Sequence, residues 1–285
     1  MTYRELFEQG RSALVQARIG EAELDARLLL EYVCQTDRNT FLIHGDRVVG
    51  TKEEEEYRRL LSERVKHVPL QYLTGEQEFM GLPFEVNKDV LIPRQDTEIL
   101  VEEVLKKLHD GMRILDMCTG SGCILISLLR YSNHCSGVGA DISEDALKVA
   151  RRNGERIFGQ TDGASKKQIT WVQSDLFSHV TGKFEFIVSN PPYIKSGEIP
   201  DLMPEVRDYE PRKALDGGGD GLYFYRKMIE QSGNYLMGGG MLYFEIGYAQ
   251  AEEVSRLMEQ AGFMEVTIVQ DYAGLDRVVY GTWLG

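Results

Sequence analysis

Residues Arg113-Ile114-Leu115-Asp116-Met117-Cys118-Thr119-Gly120-Ser121-Gly122-Cys123 run from a short apolar stretch through two glycines one residue apart, and an apolar helix-like segment at 124–129 follows. A strand that ends in a glycine turn and feeds a helix is the first unit of a parallel α/β sheet, and such sheets bind ligands at the carboxyl ends of their strands. Glycine at such a turn lets a ligand approach the backbone closely. The third glycine of a dinucleotide fingerprint is missing, because Ile124 and Leu125 already belong to the helix, so the turn does not read as a pyrophosphate cradle.

Working outward, the alternation repeats. Strand-like runs fall at 137–140, 169–173, 184–189, 241–246, 265–269 and 277–282, with helix-like segments at 99–108, 144–157, 223–229 and 249–261. The pattern predicts an α/β fold with a seven-stranded, mostly parallel, doubly wound sheet. The last two strands are joined by a short loop and are expected to be antiparallel. Residues 1–69 read as helical instead. Thr2 with Glu5 forms a capping box before Leu6 and Phe7; Leu24, Leu28 and Leu29 stripe a second helix; Thr51 with Glu54 suggests another box, before Tyr57, Leu60, Leu61 and Val65. The Glu53–Glu56 run is expected to face solvent. From 70 to 92, β-like runs at 70–73, 79–86 and 90–92 predict a hairpin linker. The chain is thus read as a helical domain over 1–69, a β-hairpin over 70–92 and an α/β domain over 93–285. Asp216 to Gly221 reads as a turn ahead of the helix at Tyr223.

The composition narrows the function. Of 285 residues, 32 are Lys or Arg and 45 are Asp or Glu, for a net charge of −13, and residues 1–87 already hold 11 basic and 16 acidic side chains. No basic half or tail supplies the phosphate attraction that dominates nucleic-acid affinity, so direct nucleic-acid binding is not expected. No uninterrupted apolar run approaches a membrane span, and no export signal is read at the start; a cytoplasmic, monomeric protein is expected. Cys34, Cys118, Cys123 and Cys135 form no Cys-x-x-Cys pair, and no metal site is expected.

Three further strand tips carry polar chemistry. Asp141 closes the second strand, where a carboxylate accepts from vicinal ribose hydroxyls. Asp175 and Leu176 end the third, placed to meet an adenine amino group and to pack on its ring. Ser189-Asn190-Pro191-Pro192-Tyr193 ends the fourth. Its prolines remove two backbone donors and hold the chain extended, leaving acceptors that suit an NH₂ group. The Asn190 side-chain oxygen and the Pro191 carbonyl would take both hydrogens of a planar amide, with Tyr193 against its face. This arrangement aligns the nitrogen lone pair with an electrophile and offsets the positive charge that develops on nitrogen.

The string Asn190-Pro191-Pro192-Tyr193 behind a glycine loop and acidic strand tips resembles S-adenosylmethionine-dependent amino-methyltransferases. Further strings narrow the likeness: Pro69-Leu70-Gln71-Tyr72-Leu73-Thr74-Gly75-Glu76-Gln77-Glu78-Phe79, Ile92-Pro93-Arg94-Gln95-Asp96-Thr97-Glu98, Glu210-Pro211-Arg212-Lys213-Ala214-Leu215-Asp216-Gly217-Gly218 and Gly274-Leu275-Asp276-Arg277-Val278-Val279. With the helical amino-terminal domain, they resemble the release factor glutamine methyltransferases along nearly the whole chain. The resemblance implies the S-adenosylmethionine-dependent methyltransferase fold. It also implies methyl transfer from S-adenosylmethionine, leaving S-adenosylhomocysteine, to the glutamine amide of the Gly-Gly-Gln motif in class-I release factors. Carried over by position, Cys118, Thr119, Gly120, Ser121, Gly122, Asp141, Leu176 and Asn190 would contact the cofactor, joined by Asp175, while Asn190, Pro191, Pro192 and Tyr193 would hold the glutamine. Residues 1–69 would recognise the factor. Two positions depart from the family pattern: Cys118 stands where the loop usually begins with glycine, and Gln95 where proline is usual. The competing readings are a nucleic-acid amino-methyltransferase and a non-catalytic cofactor-binding sensor.

Overall fold

The computed structural model describes residues 1–159 and 168–285. In chain order the helices are α1 (Tyr3–Gln16), α2 (Ala22–Cys34), α3 (Arg38–Ile43), α4 (Thr51–Arg64), α5 (Leu70–Thr74), α6 (Asp96–Leu105), α7 (Cys123–Arg130), α8 (Glu144–Phe158), α9 (Pro204–Tyr209), α10 (Tyr223–Ser232) and α11 (Ala251–Gln260). The strands are β1 (Glu76–Phe79), β2 (Leu82–Glu85), β3 (Arg113–Met117), β4 (Ser136–Asp141), β5 (Ile169–Gln173), β6 (Phe184–Ser189), β7 (Leu236–Glu245), β8 (Met264–Gln270) and β9 (Asp276–Trp283). Two compact units result: Met1–Glu76 with Met203–Tyr209, and Gln77–Leu202 with Glu210–Gly285.

The first unit is helical. Thr2 Oγ1 accepts from the Glu5 amide at 3.3 Å while Glu5 Oε2 accepts from the Thr2 amide at 2.9 Å, so the expected capping box forms and two otherwise unpaired donors are satisfied. The box expected at Thr51 does not form. Gly50 is the cap of α4, and Glu54 is drawn instead to the Met1 ammonium at 3.1 Å and to Arg58 at 2.9 Å. The inward face of α2 is also rotated from the leucine stripe. Ala22, Asp25, Ala26, Leu29 and Leu30 are buried and Leu24 is exposed. The cause is a buried ion pair: Arg64 Nε donates to Asp25 Oδ2 at 2.7 Å, so Arg64, and not Val65, completes the inner face of α4 with Tyr57, Leu60 and Leu61. Paired charges tolerate burial that single ones do not. Arg64 also reaches Glu205 of α9 at 3.1 Å, His67 Nδ1 meets the same oxygen at 3.0 Å, and the Tyr209 hydroxyl donates to the Lys66 carbonyl at 2.7 Å.

Residues 70–73, expected as a strand, form α5. Pro69 precedes the helix and Gly75, left-handed at φ +77°, ends it. An isolated apolar run of this length has no periodicity that separates helix from strand. The hairpin itself is shorter than the sequence suggests: β1 and β2 are joined at Met80-Gly81, both at positive φ, as a two-residue turn requires. Residues 90–92 are irregular.

In the second unit, the order β5-β4-β3-β6-β7-β9-β8 is parallel from β5 to β7, with β9 antiparallel between β7 and β8. The expected seven-stranded, mostly parallel, doubly wound sheet is therefore present, and its final two strands are antiparallel. One buried cluster packs α6 and α7 on one face; a second packs α10 and α11 on the other. The chain runs β3, β4, β5 in one direction, then returns to place β6 against the opposite edge of β3. This reversal opens a crevice beyond the carboxyl ends of β3 and β6, where open α/β sheets take their ligands.

Candidate active site

The glycine loop leaves β3 at Cys118, which adopts φ +62°. A side chain in the left-handed region is strained by about 1 kcal/mol, and this explains why glycine suits the position while cysteine still fits. The thiol is part-buried against Asp116 and Asp141, and burial with these charges raises its pKa well above the ordinary range. Gly120, at φ +54°, has open space where a Cβ would stand, so the cavity can be approached down to its backbone. Gly122, at φ +80°, serves another purpose: a Cβ there would meet Trp171, Ile126 and Ala150 at 2.9 to 3.1 Å. It lets α7 pack and does not face the cavity.

Beneath the loop lies Asp116, fully buried. Its Oδ2 accepts from the Thr119 hydroxyl at 2.5 Å and the Leu125 amide at 3.3 Å, whereas Oδ1 has no partner among the described residues. Burial raises its pKa to about 7. The sign follows from linkage: the folded state binds the Asp116 proton more tightly than the unfolded chain, so this contribution to stability is complete below pH 4 and is lost as pH rises towards 7. Asp116→Asn is expected to remove a loss on the order of 2 to 4 kcal/mol from the wild-type pH dependence. Denaturant unfolding of both proteins at pH 5 and pH 8 measures this, and parallel pH dependences would remove Asp116 as the cause.

At the tip of β4, Asp141 Oδ2 accepts from the Gly120 amide at 2.9 Å and Oδ1 from the Ser143 amide at 2.9 Å. Each oxygen keeps a further lone pair for a ligand hydroxyl. Ser143, not Asp141, caps α8, its hydroxyl accepting from the Ala146 amide at 3.2 Å. Beyond β5, Leu176 stands at φ +47° and is part-buried, while Asp175 is exposed.

At the end of β6, Asn190 Nδ2 donates to Thr97 Oγ1 at 3.2 Å. Committing the nitrogen in this way leaves the amide oxygen as the free acceptor. The Tyr193 hydroxyl donates to Glu245 Oε1 at 3.4 Å, and Tyr193 packs, partly buried, against the core cluster that holds α10 and α11. Glu210, buried after α9, is paired with Arg94 and accepts from the Ile92 amide at 3.3 Å, which joins the two strings flanking the crevice.

These elements enclose a cavity of about 720 Å³. Cys118, Thr119, Gly120, Ser121, Asp141, Asp175, Leu176, Asn190 and Pro192 line it; Gly122, Pro191 and Tyr193 do not. Val90, Leu91, Arg94, Thr97, Ile142, Arg212, Lys213 and Phe224 are also among the lining residues, none of them given a role by the sequence. Among the described residues, no group of three or more His, Cys, Asp or Glu side chains is placed to hold a metal ion, and no helix is long and apolar enough to cross a membrane.

The doubly wound sheet and its open glycine-loop crevice are those of a methyltransferase. A family model described as the methyltransferase small domain matches residues 94–220, and one described as the PrmC N-terminal domain matches residues 5–75. Release factor glutamine methyltransferases of Geobacter sulfurreducens and Clostridium acetobutylicum are each 40% identical to the chain, covering 98% and 90% of it and 96% and 89% of their own lengths. A methyltransferase of Pyrococcus furiosus, 21% identical, shares the fold over 73% of this chain and 91% of its own, with a TM-score of 0.53. The chain belongs to the release factor glutamine methyltransferase family.

Proposed function

We propose that the enzyme transfers a methyl group from S-adenosylmethionine to the side-chain amide nitrogen of the glutamine in the Gly-Gly-Gln motif of class-I release factors. The observation that carries this reading is Asn190, whose nitrogen is committed to Thr97, so that its oxygen is left as an acceptor at the cavity floor. The donor set fits the cofactor: Gly120 is bare, Asp141 retains lone pairs for ribose hydroxyls, and Leu176 and Ile142 offer apolar surface to a base. When bound, the cofactor supplies an electrophilic methyl group. An amide nitrogen is a poor nucleophile because its lone pair is delocalised into the carbonyl. Asn190, with the main-chain acceptors of the proline pair, would hold both N–H bonds, turn the lone pair towards the cavity and offset the charge developing on nitrogen. Asn190, Pro191, Pro192 and Tyr193 form the proposed glutamine site, with Tyr193 against the face of the substrate amide. A net charge of −13 favours a protein substrate over nucleic acid. A cytoplasmic location and a monomeric state belong to the same proposal.

Transfer of labelled methyl to purified release factor tests the reading, with a Gln→Ala change in the Gly-Gly-Gln motif and with ribosomal RNA and DNA as comparisons. Label that disappears with the glutamine is expected; label on nucleic acid alone would replace the substrate. Asp141→Ala is expected to weaken cofactor binding by about 1 to 3 kcal/mol, the range for a hydrogen bond to a charged acceptor. Calorimetric titration measures it, and unchanged affinity would remove Asp141 from the ribose.

A further inference from the structure

The turn from Asp216 to Gly221 has no part in the proposed reaction, yet it meets the chain just beyond the proposed glutamine site. The peptide group that joins Tyr193 to Ile194 is held on both sides. Its carbonyl, the Tyr193 oxygen, accepts from Gln250 Nε2 at 3.1 Å, and its N–H donates to the Leu215 carbonyl at 3.0 Å. Gln250 Nε2 also donates to the Gly221 carbonyl at 3.3 Å, while Gln250 Oε1 accepts from the Gly247 amide at 3.0 Å. The two stretches run on in parallel: the Gly217 amide donates to the Ile194 carbonyl at 2.8 Å and the Ser196 amide to the Gly218 carbonyl at 2.9 Å. Asp216 Oδ1 closes the turn, accepting from the Ser196 hydroxyl at 2.6 Å and from the Gly218 amide at 3.1 Å.

We infer that Gln250 is a positioning residue: with the main chain of residues 215–221 it pins the Tyr193–Ile194 peptide and so holds the segment from Asn190 to Tyr193 in the arrangement that aligns the substrate amide. The inference rests on the proposed glutamine site and adds to it residues that do not line the cavity. Two prolines carry the restraint back from Tyr193 to Asn190. Each ring fixes φ at about −65°, so little torsional freedom remains between the two ends. The other end is tied by Asn190 Nδ2 to Thr97 Oγ1. A segment held at both ends need not be ordered when the substrate arrives, and that is the part of a barrier which positioning removes. Glutamine suits position 250 because the Tyr193 and Gly221 carbonyls need donors and the Gly247 amide needs an acceptor, and a primary amide supplies both kinds at once.

Gly221 belongs to the same contact. It stands at φ +76°, and a Cβ there would lie 2.5 Å from the Tyr193 oxygen and 2.7 Å from Gln250 Nε2, wedged against acceptor and donor together. Gly219, two residues earlier on the same turn, is exposed and has open space where its Cβ would stand. The two glycines separate two roles. Alanine at either position stiffens the turn, whereas alanine at 221 alone pushes Gln250 from the Tyr193 carbonyl.

The test compares Gln250→Glu, Gln250→Met, Gly221→Ala and Gly219→Ala with wild type. Gln250→Glu keeps the shape and the acceptor for Gly247 but loses both N–H donors; Gln250→Met keeps only the length. These two and Gly221→Ala are expected to lower kcat on release factor about tenfold, the scale of one lost hydrogen bond, with little change in KM for the factor. The Kd of S-adenosylhomocysteine should stay at the wild-type value, because neither Gln250 nor Gly221 lines the cavity. Gly219→Ala should keep the wild-type rate. The second readout is independent of turnover. Tyr193-Ile194 is the sole Tyr-Ile pair in the sequence, so protein labelled with ¹³C-carbonyl tyrosine and ¹⁵N-isoleucine gives a single amide–carbonyl correlation for this peptide. Its carbonyl signal should match wild type in Gly219→Ala and move upfield in the other three variants as the hydrogen bond is lost. If Gly221→Ala does not fold, the two Gln250 variants decide the matter. Normal kcat or an unmoved carbonyl signal in both Gln250 variants would overturn the inference while leaving the glutamine reading intact. A loss in Gly219→Ala equal to that in Gly221→Ala would overturn it too, assigning the effect to the mobility of the turn. If wild type labels no release factor, the glutamine reading falls and takes the role of Gln250 with it.

Discussion

Asn190→Ala is expected to lower turnover on release factor by about 10²- to 10³-fold, the range seen when one preorganised group is removed from a developing charge. Binding of factor should change far less. The reason is the difference between ground and transition states: the substrate amide is neutral on arrival, and its N–H groups become stronger donors only as nitrogen acquires positive charge. An acceptor at that point therefore acts on kcat more than on KM. Asn190→Asp refines the expectation. It keeps an acceptor oxygen but loses the donor that binds Thr97 Oγ1 at 3.2 Å. Its turnover should fall between those of alanine and asparagine. Single-turnover methyl transfer at saturating cofactor measures all three, and near-normal rates for Asn190→Ala would take Asn190 out of the reaction.

The parallel core was legible because its information is local. Strands β3, β5 and β6 fall on the residues expected of them, 113–117, 169–173 and 184–189. The acidic tips and the asparagine were legible for the same reason, since the carboxyl end of a parallel strand faces the crevice whatever the rest of the chain does. What failed depended on partners distant in sequence. The inward face of α2 is set by Asp25, and a buried aspartate makes sense only once Arg64, 39 residues on, is known to pair with it. Glu245 and Thr97 were invisible in the same way. A threonine near a helix start and a glutamate in a strand are ordinary on their own, and their partners, Asn190 for Thr97 and Tyr193 for Glu245, come from distant stretches of the chain. One local signal was available and not used: an acidic residue within an apolar β-run is costly unless it is held by partners. Helix α9 carries no such signal, and its place in the first unit follows from contacts alone.

Replacing residues 5–75 with an unrelated helical domain is expected to abolish methylation of intact release factor while leaving cofactor affinity unchanged, because the cavity is lined wholly by residues between 89 and 224. The expectation follows from the proposal that the helical unit recognises the factor. The structure adds a condition to the experiment. The first unit includes Met203–Tyr209, a segment ten residues beyond Tyr193 in the chain, and holds it through Glu205, which takes both Arg64 and His67. Exchanging only the amino-terminal residues removes those two partners as well as any recognition surface. A loss of activity then has two explanations, lost recognition or a released α9. Glu205→Gln separates them, since it weakens the ionic hold on α9 and leaves the outer face of residues 5–75 untouched. If recognition lies in the helical unit, Glu205→Gln should keep most of the activity, within about tenfold, whereas the exchange should lose at least about 10³-fold, equivalent to roughly 4 kcal/mol of binding and positioning. Equal losses in the two would assign the effect to α9 and the chain leading back to Tyr193. Full activity after the exchange would place recognition of the factor in the α/β unit.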